Sequence, residues 1–222
     1  DDYYLFQINS SLDELCTVLE YPLNKFILHN LEFGVNIDLP FPVKDFLKHC
    51  YCYKGKKKEY QNYREMGEIV RFSFNQFTLK LYDKGKQYNL EKSLLRVELK
   101  ARKMQFFSGM NTKISSLFDL KTPSVYIELG QKLIDYLSGL VIIDPGFSTL
   151  EMNKNDRKFV DAINKNNYWQ NLFKEKQYKY RKDFSKLNKI ANELGPASMK
   201  WILTSKVEEK WKNLLGGEFQ KQ

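Results

Sequence analysis

Polar side chains capable of chemistry alternate with apolar ones along three segments of the chain, 26–39, 77–84 and 94–100. Glu32 in the first segment and Glu98 in the third both lie on the polar side of their alternation. Two carboxylates over one sheet face are a candidate site for Mg²⁺ or Mn²⁺, because hard cations prefer oxygen ligands. The alternative is that each carboxylate pairs with a Lys or Arg, such as Arg96. The same polar side carries Lys80, Tyr82, Arg96 and Lys100, although a solvated sheet face without chemistry has a similar composition.

A period of two residues predicts that these segments are half-buried strands. Gly85 and the polar residues up to Ser93 form a loop, so 77–84 and 94–100 are interpreted as a β-hairpin. A tight connection at Asn75-Gln76 adds a third antiparallel strand over 69–74. The whole of segment 26–39 is predicted to be a further strand with an apolar face.

The second half of the chain has the spacing of helices. Thr122 followed by Pro123 is an N-cap signal for a helix whose apolar residues recur up to Leu137. A turn signal at 144–146 places a domain boundary near residue 145, and helices are predicted over about 155–164, 167–194 and 196–215. The predicted fold class is therefore α+β: an antiparallel sheet with helices on one face in residues 1–145, followed by a basic, all-helical part in residues 146–222.

The net charge of +9 is concentrated in the last third of the chain. Residues 154–222 hold 16 Lys and Arg against 8 Asp and Glu, whereas the rest holds 20 against 19. A local basic excess is typical of nucleic-acid binding, although solvated lysines in a Lys-rich composition are the alternative. The densest basic and aromatic run supplies the candidate DNA contacts, to which Lys80 and Lys100 of the sheet are added: Lys174, Lys176, Tyr178, Lys179, Tyr180, Arg181 and Lys182.

Several classes of protein are disfavoured by what the sequence lacks. It has no Gly-rich phosphate loop, no Ser nucleophile elbow, no HExxH and no CxxC pair. No apolar run approaches the roughly 18 residues of a membrane span. The three cysteines, Cys16, Cys50 and Cys52, suit a reducing cytoplasm, which is the expected location.

The sequence Tyr82-Asp83-Lys84 followed by Arg96-Val97-Glu98 resembles the YDK and RxE signature of phage and plasmid rolling-circle replication proteins. The upstream strand with Glu32 and Asn36 is similar to the LD…N strand of that family, with Glu in place of Asp. The resemblance covers about residues 12–144. It implies a replication initiator of a phage, plasmid or mobile element that nicks single-stranded origin DNA. In that reaction a tyrosine forms a 5′-phosphotyrosyl link and leaves a free 3′-OH.

The resemblance also implies roles for individual residues. Glu32 and Glu98 would hold Mg²⁺ or Mn²⁺ or act as acid and base, Lys84 and Arg96 would contact the phosphate, and Asp83 would orient Lys84 or assist the metal. Plasmid members carry the nucleophilic tyrosine on the strand before YDK, but residues 68–74 contain none. The candidate nucleophiles are therefore Tyr60, Tyr63 and Tyr82, with Tyr178 and Tyr180 in the helical part. The expected partners are single-stranded or origin duplex DNA and no membrane, with a homodimer left open. A catalytically inactive relative that binds DNA is the alternative function.

Overall fold

Alternating residues form an antiparallel sheet at the centre of the computed structural model, which describes residues 3–63, 67–165 and 167–216. The strands of these ranges are β1 (Leu31–Asp38), β2 (Cys50–Tyr53), β3 (Lys56–Lys57), β4 (Glu59–Tyr63), β5 (Gly67–Ser73), β6 (Phe77–Asp83), β7 (Leu94–Ala101) and β8 (Leu140–Ile142). Five of them lie side by side in the order β1-β7-β6-β5-β4, and every neighbouring pair is antiparallel. A small second sheet has the order β3-β2-β8.

Helices complete the predicted α+β fold. The α-helices are α1 (Leu5–Leu19), α2 (Val43–His49), α3 (Lys84–Gln87), α4 (Pro123–Ser138), α5 (Lys154–Ile163), α6 (Tyr168–Glu175), α7 (Gln177–Glu193) and α8 (Met199–Leu214). Short 3₁₀ turns occur at Leu23–Lys25, Met104–Phe107, Phe118–Lys121, Pro145–Thr149 and Gly195–Ala197. None of the helices in the described part of the chain has the length and apolar character that crossing a bilayer requires.

The apolar face of the large sheet is covered by α2, α4 and α8. Val97 and Leu81 of the sheet, Phe46 of α2, Leu133 of α4 and Leu203 of α8 are fully buried in this first core cluster. Burial of such side chains contributes about 1.5–3 kcal/mol each. The sheet is therefore held from one side, and its opposite face is left to polar residues.

A second core cluster joins α5, α6 and α7 to the small sheet. Cys52 of β2 and Val141 of β8 pack there with Trp169, Leu187 and Ile190 of the C-terminal helices. Since α8 returns to the first cluster, residues on both sides of position 145 share each core. The predicted domain boundary at that position stays a prediction.

Two predicted element boundaries are wrong. The strand predicted over 26–39 begins only at Leu31, because Ile27 lies outside the sheet and forms an isolated bridge to Ser116. The helix predicted over 167–194 is two helices, α6 and α7. Lys176 separates them with φ −143° and ψ 68°, which no α-helix accommodates.

Gly34 fixes how closely the edge strand β1 approaches β7. A Cβ at this position would lie 2.0 Å from the carbonyl oxygen of Val97 and 2.8 Å from the Cα of Glu98. Both atoms belong to the backbone of β7, so a side chain could be accommodated only by moving the strands apart. The close pairing of β1 with β7 therefore depends on glycine here.

We expect Gly34→Ala to lower the free energy of unfolding by about 3 kcal/mol, the cost of overpacking a site that cannot relax. Chemical denaturation measures the loss. Gly109→Ala is the matched control, because a Cβ at Gly109 would meet no atom within 4 Å. Equal stability of the two variants would contradict the close approach of β1 and β7.

Candidate active site on the polar face of the sheet

The register of the strands places the predicted catalytic residues in adjacent rows across the sheet. Gly34 pairs with Glu98, which pairs with Lys80. In the next row, Arg96 pairs with Tyr82. Directly paired residues of antiparallel strands point to the same face. The alternation seen in the sequence therefore brings acidic, basic and phenolic groups together from three neighbouring strands.

Lys80 is the centre of this arrangement. Its Nζ donates to Glu98 Oε1 at 2.6 Å and to Glu32 Oε2 at 3.1 Å. Lys100, which pairs with Glu32 across β1 and β7, places its Nζ 3.5 Å from the same Glu32 oxygen. Arg96 Nε lies 3.5 Å from Glu98 Oε2, the other oxygen of that carboxylate. Glu32 and Glu98 therefore converge, as the sequence predicted, and an ammonium group joins them.

The two carboxylates differ in their tendency to hold a proton. Burial, together with the adjacent Glu32, raises the pKa of Glu98 above its ordinary value. Burial acts in the same direction on Glu32, but its hydrogen bonds to Glu98 and Lys80 and the charge of Lys100 hold the pKa of Glu32 below its ordinary value. Two carboxyl groups whose pKa values are pushed apart are suited to exchange a proton, with Glu98 as the stronger base.

Tyr82 is the tyrosine whose hydroxyl lies beside this pair. Its Oη donates to Glu98 Oε2 at 3.4 Å, and its side chain is half-buried. Burial and the charge of Glu98 raise the pKa of Tyr82 to about 12. The phenol is therefore protonated at neutral pH, and it becomes a strong nucleophile only if a base accepts its proton during attack. Glu98 is in position to do so.

Cations and open space surround the Tyr82 hydroxyl. Arg96 lies directly opposite Tyr82 on the neighbouring strand, and Lys84 Nζ lies 5.9 Å from the centre of the Tyr82 ring. A cavity of about 160 Å³ over the sheet is lined by Lys80, Tyr82 and Glu98, among others. A larger cavity of about 570 Å³ also reaches Tyr82, Lys84, Arg96 and Glu98. An anion entering from this side would meet both cations and the hydroxyl.

The carboxylate pair is the place where the divalent cation implied by the resemblance would bind. Glu32 and Glu98 supply oxygen ligands, but the Lys80 ammonium already lies between them at hydrogen-bonding distance of both. Within residues 3–63, 67–165 and 167–216, no group of three or more His, Cys, Asp or Glu could hold a metal ion. In this arrangement the pair does not fit Mg²⁺ or Mn²⁺, and the cofactor stays a prediction.

Three further predicted residues lie outside the cluster formed by Lys80, Glu98 and the Tyr82 hydroxyl. Asp83 pairs with Leu95, on the opposite face, and its Oδ1 accepts the backbone N–H of Lys86 at the start of α3. It therefore caps a helix and does not orient Lys84, which corrects that part of the prediction. Tyr63 lies on the polar face of β4, the edge strand three positions away from β7, and in a different row from Glu98. Tyr60 pairs with Val70 and faces the other side of the sheet.

The basic run in the C-terminal part is largely exposed. The exposed residues are Lys174, Lys176, Tyr178, Lys179, Arg181 and Lys182, with Tyr178 81% exposed. Tyr180 is the exception, because it is buried against Trp169, Phe173 and Phe184 in the second core cluster. Its ring cannot stack on a base without leaving that core, so the prediction that Tyr180 contacts DNA is corrected.

Two features of the site were missed at the sequence level. Arg71 pairs with Lys80 on the polar face, and the alternation around Val70 and Phe72 would have placed it there. Trp211 of α8 lines the larger cavity beside Phe33 of β1. No local sequence pattern predicts that contact, because it depends on how α8 packs against β1.

Comparison with protein-family models, with curated proteins and with solved structures finds no match to this chain. The geometry of the polar face and the resemblance of the motifs are therefore what bears on function.

Proposed function

We propose that the protein binds single-stranded DNA over the polar face of the large sheet and cleaves and rejoins it through Tyr82. The observation that carries the proposal is the position of the Tyr82 hydroxyl, 3.4 Å from a buried carboxylate and opposite Arg96. A nucleophile, a base within reach of its proton and a cation for the developing charge are the parts that phosphoryl transfer requires. The biological role proposed with it is the initiation of rolling-circle replication of a phage, plasmid or mobile element.

The proposed cleavage is a transesterification. Tyr82 Oη forms a bond to the phosphorus, its proton passes to the Glu98 carboxylate, and the bond between phosphorus and the 3′ oxygen breaks. The departing 3′ oxygen takes the proton back from Glu98, so the products are a 5′-phosphotyrosyl link and a free 3′-OH. Attack of a 3′-OH on the link reverses these steps and rejoins the strand.

The cations of the polar face stabilise the negative charge of the pentacoordinate phosphate. Arg96 has a planar guanidinium that suits two phosphate oxygens at once, and Lys84 adds a second charge beside Tyr82. Lys80 stays bonded to Glu98 and Glu32 and keeps both carboxylates in place. This mechanism uses the ammonium and guanidinium groups of the chain where the resemblance implies a divalent cation.

A second candidate function is DNA binding without cleavage, and the exposure of the basic run favours it. Burial raises the pKa of Tyr82 to about 12, so removing its proton requires a base such as Glu98. Exposed lysines and Arg181 of α7 supply a separate basic surface that could hold DNA whether or not Tyr82 reacts. The two functions share a ligand and differ only in the covalent step.

The experiment that separates them incubates the protein with labelled single-stranded oligonucleotides of many sequences. A labelled species that survives denaturing electrophoresis supports cleavage through the chain. Salt-sensitive binding without such an adduct over the whole panel supports the second candidate.

We expect the triple substitution of Lys179, Arg181 and Lys182 by Ala to weaken DNA binding. The variant makes three fewer phosphate contacts and therefore releases fewer counterions when it binds. The slope of log affinity against log salt should become shallower by about 2. Binding measured between low and moderate salt gives that slope. The control replaces Lys25, Lys103 and Lys113, which are exposed and lie outside the basic run. Equal slopes for both triple variants would remove α7 from the interface.

A further inference from the structure

The larger cavity joins the candidate active site to an apolar pocket at the edge of the sheet. Its polar half is lined by Tyr82, Arg96 and Glu98, the residues of the proposed cleavage site. Its apolar half lies between β1, α4 and α8 and is lined by Phe33, Tyr126, Trp211 and Leu214, among others. The volume of about 570 Å³ is within the usual range of small-molecule sites, about 300–1,000 Å³. One continuous space therefore offers charge at one end and apolar walls at the other.

Two glycines determine how the walls of this space pack. Gly34 on β1 lies directly opposite Glu98, and both residues line the cavity. Gly130 of α4 lets the Trp211 ring lie against the helix, since a Cβ there would meet Trp211 Nε1 at 2.3 Å. Trp211 is thereby held over Phe33, with ring centres 6.2 Å apart.

Trp211 and Tyr126 of the apolar half already use their side-chain hydrogen-bond donors. Trp211 Nε1 donates to the Tyr126 carbonyl at 2.8 Å, and Tyr126 Oη donates to the Leu120 carbonyl at 2.7 Å. These two residues therefore offer a ligand mainly apolar and ring surface. Such a surface suits a planar group that is held by packing and stacking, as unpaired bases are in sites for single strands.

We propose that the apolar half of this cavity binds one unstacked base of the DNA strand, belonging to a nucleotide next to the phosphate held at Arg96 and Tyr82. The inference rests on the proposed binding of DNA at the polar face and adds where the neighbouring base is placed. The match is chemical: a nucleotide is anionic at its phosphate and apolar on the faces of its base, and the cavity has the same two ends. A base placed there fixes the strand relative to the Tyr82 hydroxyl.

The experiment measures binding of four-nucleotide single strands in which one base at a time is replaced by an abasic sugar. For the unmodified chain, we expect removal of the base at one position to weaken binding about tenfold, the scale of one base–aromatic stack. Leu214→Trp places a ring into the apolar half and should abolish this dependence on position. Trp201→Leu on the same helix is the matched control, because Trp201 is half exposed and does not line the cavity.

A second variant, Leu214→Ala, enlarges the pocket and should keep the positional dependence, and thermal melting shows whether each variant is folded. Equal weakening at all four positions would overturn the inference, as would a positional effect that persists unchanged in Leu214→Trp. The covalent assay is read separately. An adduct without a positional effect refutes the base pocket and supports cleavage through the chain. A positional effect without an adduct supports the base pocket and refutes the cleavage.

Discussion

Tyr82→Phe is expected to abolish the covalent adduct with single-stranded DNA while leaving the affinity for that DNA nearly unchanged. The substitution removes the attacking oxygen and keeps the ring in its half-buried position between β5 and β7. The hydrogen bond that is lost, to Glu98 Oε2, is long at 3.4 Å. Its loss should therefore change the free energy of unfolding by less than about 1 kcal/mol. Denaturing electrophoresis of labelled oligonucleotides measures the adduct, and anisotropy measures the affinity.

Two controls show whether the effect belongs to Tyr82. Tyr63→Phe alters a tyrosine on the same face at the far edge of the sheet, where its Oη donates to Gln61, and it should leave the adduct intact. Glu98→Gln keeps the shape of the base and removes its ability to accept a proton, so adduct formation should slow by about 10²–10⁴. If Tyr63→Phe abolished the adduct and Tyr82→Phe did not, the nucleophile would lie on β4.

Lys80→Ala is expected to lower the free energy of unfolding by about 3 kcal/mol at neutral pH, because it removes the nearer of the two cations that pair with the buried carboxylate of Glu98 and leaves only Arg96, at 3.5 Å. Glu98 is only 4% exposed and cannot regain full hydration. Chemical denaturation measures the change. Lys100→Ala is the matched control: Lys100 is 44% exposed at its side chain and contacts Glu32 at 3.5 Å, so its loss should cost less than about 1 kcal/mol.

The loss of stability in Lys80→Ala should depend on pH, and the pKa of Glu98 determines the direction of that dependence. The pKa of Glu98 is already raised by burial and by Glu32, and removal of Lys80 raises it further. The folded state then binds a proton that the unfolded state has released, so stability falls as pH rises from the unfolded pKa through the folded one. The loss in Lys80→Ala should accordingly be smaller at pH 5 than at pH 8. A loss that does not change with pH would contradict the pairing of Lys80 with Glu98.

The same variant tests why the carboxylate pair does not fit a metal. Without the ammonium, Glu32 and Glu98 present oxygen ligands to an open space, and Mn²⁺ should raise the thermal midpoint of Lys80→Ala while leaving the unmodified chain unaffected. Stabilisation of the unmodified chain by Mn²⁺ would instead favour the metal site that the resemblance implies, with Lys80 displaced.

The sheet and most of its polar face could be predicted because both follow from a period of two residues. The alternation around Lys80 and Glu98 determines which face each residue joins, and the short connection at Asn75-Gln76 determines that β5 and β6 are neighbours. Glu32 and Glu98 can share a face if the first strand pairs with the hairpin, and in the structure β1 pairs with β7 of that hairpin. Convergence of Glu32 with Glu98 followed from that pairing, so this part of the site was within reach of the sequence.

The remainder of the site depends on contacts between distant parts of the chain. Whether the cation between two carboxylates is a metal or Lys80 depends on side-chain positions that alternation does not determine. Tyr180 is buried because α6 packs against α7. The basic run around it in the sequence predicts exposure and gives no sign of this packing. The apolar half of the cavity requires α8 to return to β1, and no sequence period encodes that return.

The most direct test of the account identifies the residue that carries the covalent nucleotide. The protein is allowed to react with single-stranded DNA, the adduct is digested with protease and nuclease, and the modified peptide is sequenced by mass spectrometry. The account expects a phosphate ester on Tyr82, within the peptide that contains Leu81 and Asp83. A modified tyrosine elsewhere, or DNA binding with no modified peptide over a broad set of sequences, would contradict it.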